Sequence, residues 1–154
     1  MSNVGWRPEY ELGIEAIDAQ HRRMFASVDD LLAAIGAGEA DAVGPMLTFL
    51  RRYVLEHFAD EQALMAAAGY PLADAHAAEH ARFALELFDV QARYGREPQS
   101  PWLAAKLGVG LADWLRDHML GSDAALGRHL RAQAPRRRAD QEGARVVRGA
   151  DGGK

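Results

Sequence analysis

Five of the six histidines in this chain fall, with two carboxylates, into one ordered series. It runs His21, then His57-Phe-Ala-Asp-Glu61, then His76-Ala-Ala-Glu-His80, then His118-Met-Leu-Gly-Ser-Asp123. Imidazole and carboxylate are ligands for first-row transition metals. A spacing of four sets two side chains one above the other on a helix face, as in His57/Glu61 and His76/His80. Seven such groups are too many for one ordinary metal ion and about right for two. The series therefore constrains the fold: four helical segments must bring their marked faces to one centre.

Hydrophobic periodicity agrees. Residues 1–17 read as an irregular arm, interrupted by Gly13, whose aromatics Trp6 and Tyr10 pack against the rest. The first helix starts at Asp18, a good N-cap residue, and carries Met24, Phe25, Val28, Leu31, Leu32 and Ile35 on one stripe until Gly36-Ala-Gly38. A second runs from about Ala42 to Ala68, with Leu47, Leu50, Val54, Phe58, Leu64 and Met65 apolar, and stops at Gly69-Tyr70-Pro71. The third spans about Leu72 to Tyr94, with Phe83, Leu87 and Val90 inward, and ends at Gly95. After a loop containing Pro98 and Pro101, the fourth runs from about Trp102 to Ala132, with Leu107, Leu111, Trp114, Leu115 and Met119 inward. Such helices with short connections predict an all-α, up-down-up-down four-helix bundle. His118 and Asp123 fit least well, since five residues of ideal helix leave them about 140° apart. A wider turn at Gly121-Ser122 would bring the carboxylate inward.

The chain has 154 residues, enough for one well-packed domain, and no cysteine, which excludes disulfides and thiolate-held metals. Residues 131–154 carry seven basic and three acidic side chains, leaving 11 basic and 19 acidic in 1–130. An acidic body argues against a nucleic-acid-binding face. No window approaches the roughly 18 apolar residues of a membrane span, and the N-terminus does not read as a signal peptide. A cytoplasmic setting is expected. Residues 1–134 are read as the bundle, and 135–154, with Arg136-Arg137-Arg138 and little to bury, as a disordered basic tail.

The segments Leu12-Gly-Ile-Glu-Ala-Ile-Asp-Ala-Gln-His21, His57-x3-Glu61, Gly69-Tyr-Pro71 followed by His76-x3-His80, and Trp114-Leu-Arg-Asp-His118-x4-Asp123 resemble the hemerythrin family, in its bacterial single-domain members. The resemblance covers about residues 6–130 and fills all seven of the family's ligand positions in order, the five-residue step included. It implies a non-heme di-iron centre (Fe2+/Fe3+) that binds O2 reversibly. By position, His76, His80 and His118 would hold one iron, His21 and His57 the other, and Glu61 and Asp123 would bridge both. The resemblance also implies a bridging oxo or hydroxo oxygen, and O2 at the open position of the two-histidine iron.

Phe58, Trp114, Leu115 and Met119 neighbour these positions and could wall the pocket, besides packing the core. Gln20, Asp60, Glu79, Asp113 and Asp117 could orient imidazoles, although each singly reads as a solvent-facing helix residue. His129 matches no ligand position and reads as a surface or last-turn histidine favoured by the helix dipole. Oxygen carriage, storage or delivery is the leading function, with no catalytic residues expected. Ferritin-like di-iron enzymes use Glu-x-x-His, and the nearest match here is Asp18-x-x-His21. An O2 or redox sensor, or a di-iron enzyme with peroxidase- or nitric-oxide-related activity, are the alternatives. The same ligands would accept zinc or manganese.

Overall fold

The computed structural model describes residues 5–98 and 106–134. The expected tail at 135–154 and the expected helix start at Trp102 lie outside these residues, as does the side chain of Leu107. Three long helices come first: α1 (Glu15–Ala37), α2 (Ala40–Ala68) and α3 (Ala73–Arg96). The fourth, α4, is composite. A π-helical turn at Lys106–Leu111 leads into regular helix at Ala112–His118, a second π turn at Met119–Asp123, and helix again over 124–134.

Contacts between helices run antiparallel throughout. Gln20 meets Asp60 across α1 and α2, Thr48 meets Gln91 across α2 and α3, and Glu79 meets Ser122 across α3 and α4. The architecture is the expected all-α, up-down-up-down bundle, with no strand among the described residues.

The helix ends follow the turn chemistry in the sequence. Gly38 and Gly69 both take the left-handed conformation (φ 73° and 58°) that lets a chain leave a helix. The Tyr70 amide then returns to the Met65 carbonyl at 3.0 Å, closing the end of α2. Two expectations are corrected. Helix α3 continues through Gly95 to Arg96, because a glycine permits termination without forcing it. Helix α1 begins at Glu15, with Ile14 and not Asp18 at the cap position. Asp18 lies inside the first turns, and its buried carboxylate reaches back to accept from the amides of Leu12, Gly13 and Ile14 at 2.7, 3.0 and 3.1 Å. Asp18 thus serves the chain entering the helix.

That hold presses the arm onto the bundle. Pro8–Tyr10 forms one 3-10 turn. Tyr10 stacks on Phe25 with centroids 5.1 Å apart, and Trp6 packs edge-on to both rings. The main core runs along all four helices, from Leu31, Val43 and Val90 at one end to Phe58 and Met119 at the other. A smaller cluster of Met65, Tyr70 and Leu126 lies about two helical turns beyond, Met65 and Leu126 following Phe58 and Met119 on their helices. The candidate metal-binding residues fall between these apolar layers, which shield them from both directions along the bundle.

Candidate metal centre

All seven residues of the series are buried, and they converge. The Nε2 atoms of His76, His80 and His118 form a nearly equilateral triangle with sides of 3.1, 3.0 and 2.9 Å. On the other side, the Nε2 atoms of His21 and His57 are 3.1 Å apart. Two carboxylates stand between the groups, and each turns a different oxygen to each side. Glu61 sets Oε2 at 3.5 and 3.3 Å from His76 and His80, and Oε1 at 3.7 Å from both His21 and His57. Asp123 sets Oδ1 at 3.1 Å from both His76 and His118, and Oδ2 at 3.3 Å from His21.

The five-residue step is resolved by the π turn at Met119–Asp123. A π turn closes i→i+5, so one extra residue is taken up in the winding. His118 and Asp123 then face the same centre, as the expected wider turn at Gly121-Ser122 requires.

The polar bookkeeping of the site calls for cations. All four oxygens of Glu61 and Asp123 are buried without a hydrogen-bond partner, and neither residue shows any exposed surface. Two carboxylates stripped of water need positive charge close by. No Lys or Arg is paired with either among the described residues; only imidazoles surround them. The donor atoms fall into two overlapping groups, Glu61/His76/His80/His118/Asp123 and His21/His57/Glu61. The first offers three nitrogens and two oxygens to one point, and neutral imidazole with carboxylate is a fitting donor set for a transition-metal ion. The residues present therefore fit two cations.

The site's own electrostatics point the same way. Burial pushes the Glu61 carboxyl up, as does the Asp123 charge, yet the adjacent His76 and His80 bring it down to about 2. Asp123 is likewise held well below the usual carboxylate range, with His118 and His76 outweighing its burial. Burial lowers His57 to about 4 and also lowers His21 and His80. Burial lowers His76 too, but Asp123 and Glu61 overcome it and raise the group to about 9. The buried dianion thus stays ionised and draws a proton onto His76 unless something better takes that place.

Two imidazoles are held from behind. The Nδ1–H of His57 donates to Gln20 Oε1 at 2.9 Å, and the Gln20 amide donates in turn to Asp60 at 2.6 Å. The Nδ1–H of His118 donates to Glu79 Oε2 at 2.9 Å. A proton on Nδ1 leaves the Nε2 lone pair facing the centre, the tautomer a metal ligand needs. Gln20, Asp60 and Glu79 therefore do more than face solvent, the reading that each suggests when taken singly. Asp113 and Asp117 instead pair with Arg116 at the surface. Phe58 stacks on His80 at 3.7 Å and Trp114 on His118 at 4.4 Å, so two expected wall residues lie flat against the imidazoles.

His129 is outside the cluster, but it is not a plain surface residue. It packs edge-on to Tyr70, and its Nε2 lies 3.3 Å from the Ala68 carbonyl at the end of α2. The Gln133 amide donates to the same carbonyl at 2.9 Å. These side chains satisfy a helix end that belongs to a different helix from their own. No local spacing could have signalled that contact.

Fold and site together define a four-helix bundle with a buried histidine–carboxylate centre able to hold cations. Comparison with known proteins carries this further. The family described as "Hemerythrin HHE cation binding domain" matches residues 12–130. The chain is 30% identical over 132 residues to a bacteriohemerythrin of Stenotrophomonas maltophilia (strain R551-3), covering 86% of this chain and 84% of that protein. It is 30% identical over 124 residues to a bacteriohemerythrin of Pseudomonas aeruginosa (strain LESB58), covering 80% and 79%. A myohemerythrin of Theromyzon tessulatum is 26% identical over 119 residues, covering 77% and 86%. This chain belongs to the hemerythrin family.

Proposed function

We propose that the chain binds O2 reversibly at a di-iron centre and serves in oxygen carriage, storage or delivery. His76, His80 and His118 hold one iron, His21 and His57 hold the other, and Glu61 and Asp123 bridge them. The observation that carries the reading is the pair of buried carboxylates, each turning one oxygen to each histidine group and bonding to nothing else. The triangle of nitrogens also supports the choice of metal. With metal–nitrogen bonds of about 2.1 Å, adjacent octahedral ligands lie about 3.0 Å apart and tetrahedral ones about 3.4 Å. Sides of 2.9–3.1 Å are close to the octahedral spacing, and the five donors that converge with them exceed the four of a tetrahedral site, as suits iron or another six-coordinate ion.

An iron pair held here would supply the redox chemistry that reversible O2 binding needs. The chain's own residues make a reversible exchange feasible. Glu61 and Asp123 would neutralise half the charge of two divalent ions, which lowers the cost of holding those ions away from water. Gln20 and Glu79 keep the His57 and His118 protons on Nδ1, away from the centre. The three-histidine side is the more fully furnished, which leaves the two-histidine side open to a ligand. Met24, Val28, Leu50, Phe58, Trp114 and Leu115 help line a small cavity, and two of them, Phe58 and Trp114, stack on His80 and His118. Its lining is wholly apolar, which suits a neutral diatomic and not an anion.

The test is metal analysis of the reduced protein with optical spectra before and after air. Two irons per chain and a visible band that appears with O2 and vanishes on removing it are expected. Prompt conversion to a stable oxidised form with no reversible band overturns carriage, and fewer than two irons overturns the dinuclear assignment.

A further inference from the structure

Glu79 directly precedes His80 in the chain, yet its carboxylate turns away from the centre. One oxygen, Oε2, accepts both the Nδ1–H of His118 at 2.9 Å and the hydroxyl of Ser122 at 2.7 Å. Ser122 belongs to the π turn, and it directly precedes Asp123. A single carboxylate oxygen on α3 therefore ties down the residue at the entrance of the turn and the residue before its exit. Gln20 holds His57 in a similar way, but it has no tie to any irregular backbone.

The geometry of the turn gives that tie a purpose. Were α4 regular here, Ser122 would sit about 40° round from His118 and Asp123 about 140°. Ser122 would then lie nearest the direction Asp123 now takes, and Asp123 would point off the centre. Keeping Ser122 drawn to α3 opposes that relaxation. A regular helix has better hydrogen-bond geometry than a π turn, so the irregular turn needs outside support to persist. The part of Glu79 that bonds is sheltered, with the side chain 34% exposed, so water competes only in part.

We propose that Glu79 is a positioning residue that clips the π turn to α3, and so keeps Asp123 aimed at the centre and His118 in its ligand tautomer. The clip deepens the di-iron reading and rests on it only for its purpose, because it is visible without metal.

The experiment uses the full chain with Glu79→Ala, Glu79→Gln, Ser122→Ala and the double Glu79→Ala/Ser122→Ala variant. Amide hydrogen exchange is followed at residues 119–124 of the metal-free protein, and cobalt(II) is titrated as the metal probe. Exchange within the turn should quicken by about tenfold or more in Ser122→Ala and Glu79→Ala, with α2 unchanged. The double variant should be no faster than Glu79→Ala alone, since the two residues act as one unit. Cobalt affinity should fall by about 10- to 100-fold in Glu79→Ala. It should fall by a smaller factor in Ser122→Ala, which touches no ligand, and recover in part in Glu79→Gln. Unchanged turn exchange in Ser122→Ala, strictly additive effects, or equal quickening in every helix each overturn the clip. A wild-type chain that binds fewer than two cobalt ions would overturn the ligand reading, while the exchange measurements still decide the clip.

Discussion

Deleting Gly121 should leave the metal centre standing, although it removes a residue from between two proposed ligands. With the deletion, His118 and the carboxylate of Asp123 become four residues apart. Four steps of ordinary α-helix turn through about 400°, so the two lie about 40° apart and can share the centre with no π turn. The rest of α4 stays in phase as well. Leu126, fully buried against Met65 and Tyr70, falls seven steps from His118, about 20° short of two full turns. Inserting an alanine after Gly121 does the opposite, making six steps and pointing Asp123 about 240° away. The deletion variant should therefore bind two ions per chain within about tenfold of wild-type affinity, a difference of at most about 1.4 kcal/mol. The insertion should behave like Asp123→Ala and lose the bridge, with the second ion weakened by at least about 100-fold, or about 2.7 kcal/mol. Metal per chain after desalting, with cobalt titration for affinity, reads both. If the deletion loses metal as badly as Asp123→Ala, facing is not what the π turn provides, and the reasoning fails.

Three further outcomes are expected. His118→Ala should lose bound metal while His129→Ala keeps it and loses about 1 kcal/mol of stability through the Ala68 carbonyl; equal metal loss in both would show the wrong histidine has been set aside. Gly127→Ala should cost about 1 kcal/mol in urea denaturation. Its new methyl would meet Arg131 Nη1 at 3.1 Å, Leu12 Cβ at 3.2 Å and the Leu12 carbonyl at 3.3 Å, and that crowding outweighs the roughly 1 kcal/mol gain in helix propensity. A more stable variant would mean that the arm yields freely. For pH, burial holds His57 near 4 in the metal-free fold against 6.5 normally, so stability should fall as pH drops from about 6.5 towards 4. His76 works in the other direction: burial lowers it, Asp123 and Glu61 raise it to about 9, and its stabilisation is full below 6.5 and lost as pH rises through 9. A cation must displace that proton, so apparent metal affinity should weaken about tenfold per pH unit between 8 and 7. Affinity flat across that range would contradict the assignment.

The fold was legible because helical periodicity is local. The stripe from Met24 to Ile35 and the stops at Gly38 and Gly69-Tyr70-Pro71 can be read a few residues at a time. The helix starts were less so, since Asp18 has the chemistry of a cap residue but spends it on the amides of Leu12 to Ile14 from inside the helix.

For the site, the seven-residue series alone determined which side chains could meet, because ligand type and spacing are properties of the chain. The π turn was visible there only as an awkward step of five, and the structure accounts for it with one extra residue in the winding. The sequence marked Gln20, Asp60 and Glu79 as candidates to orient imidazoles, but which partner each one meets was decided by tertiary structure. Glu79 and Ser122 are 43 residues apart, Ala68 and His129 are 61 apart, and Arg131, which donates to the Leu12 carbonyl, is 119 away from its partner. Such pairs leave no periodic trace. Each residue looks like an ordinary polar position until packing delivers a partner and excludes the water that would otherwise satisfy it.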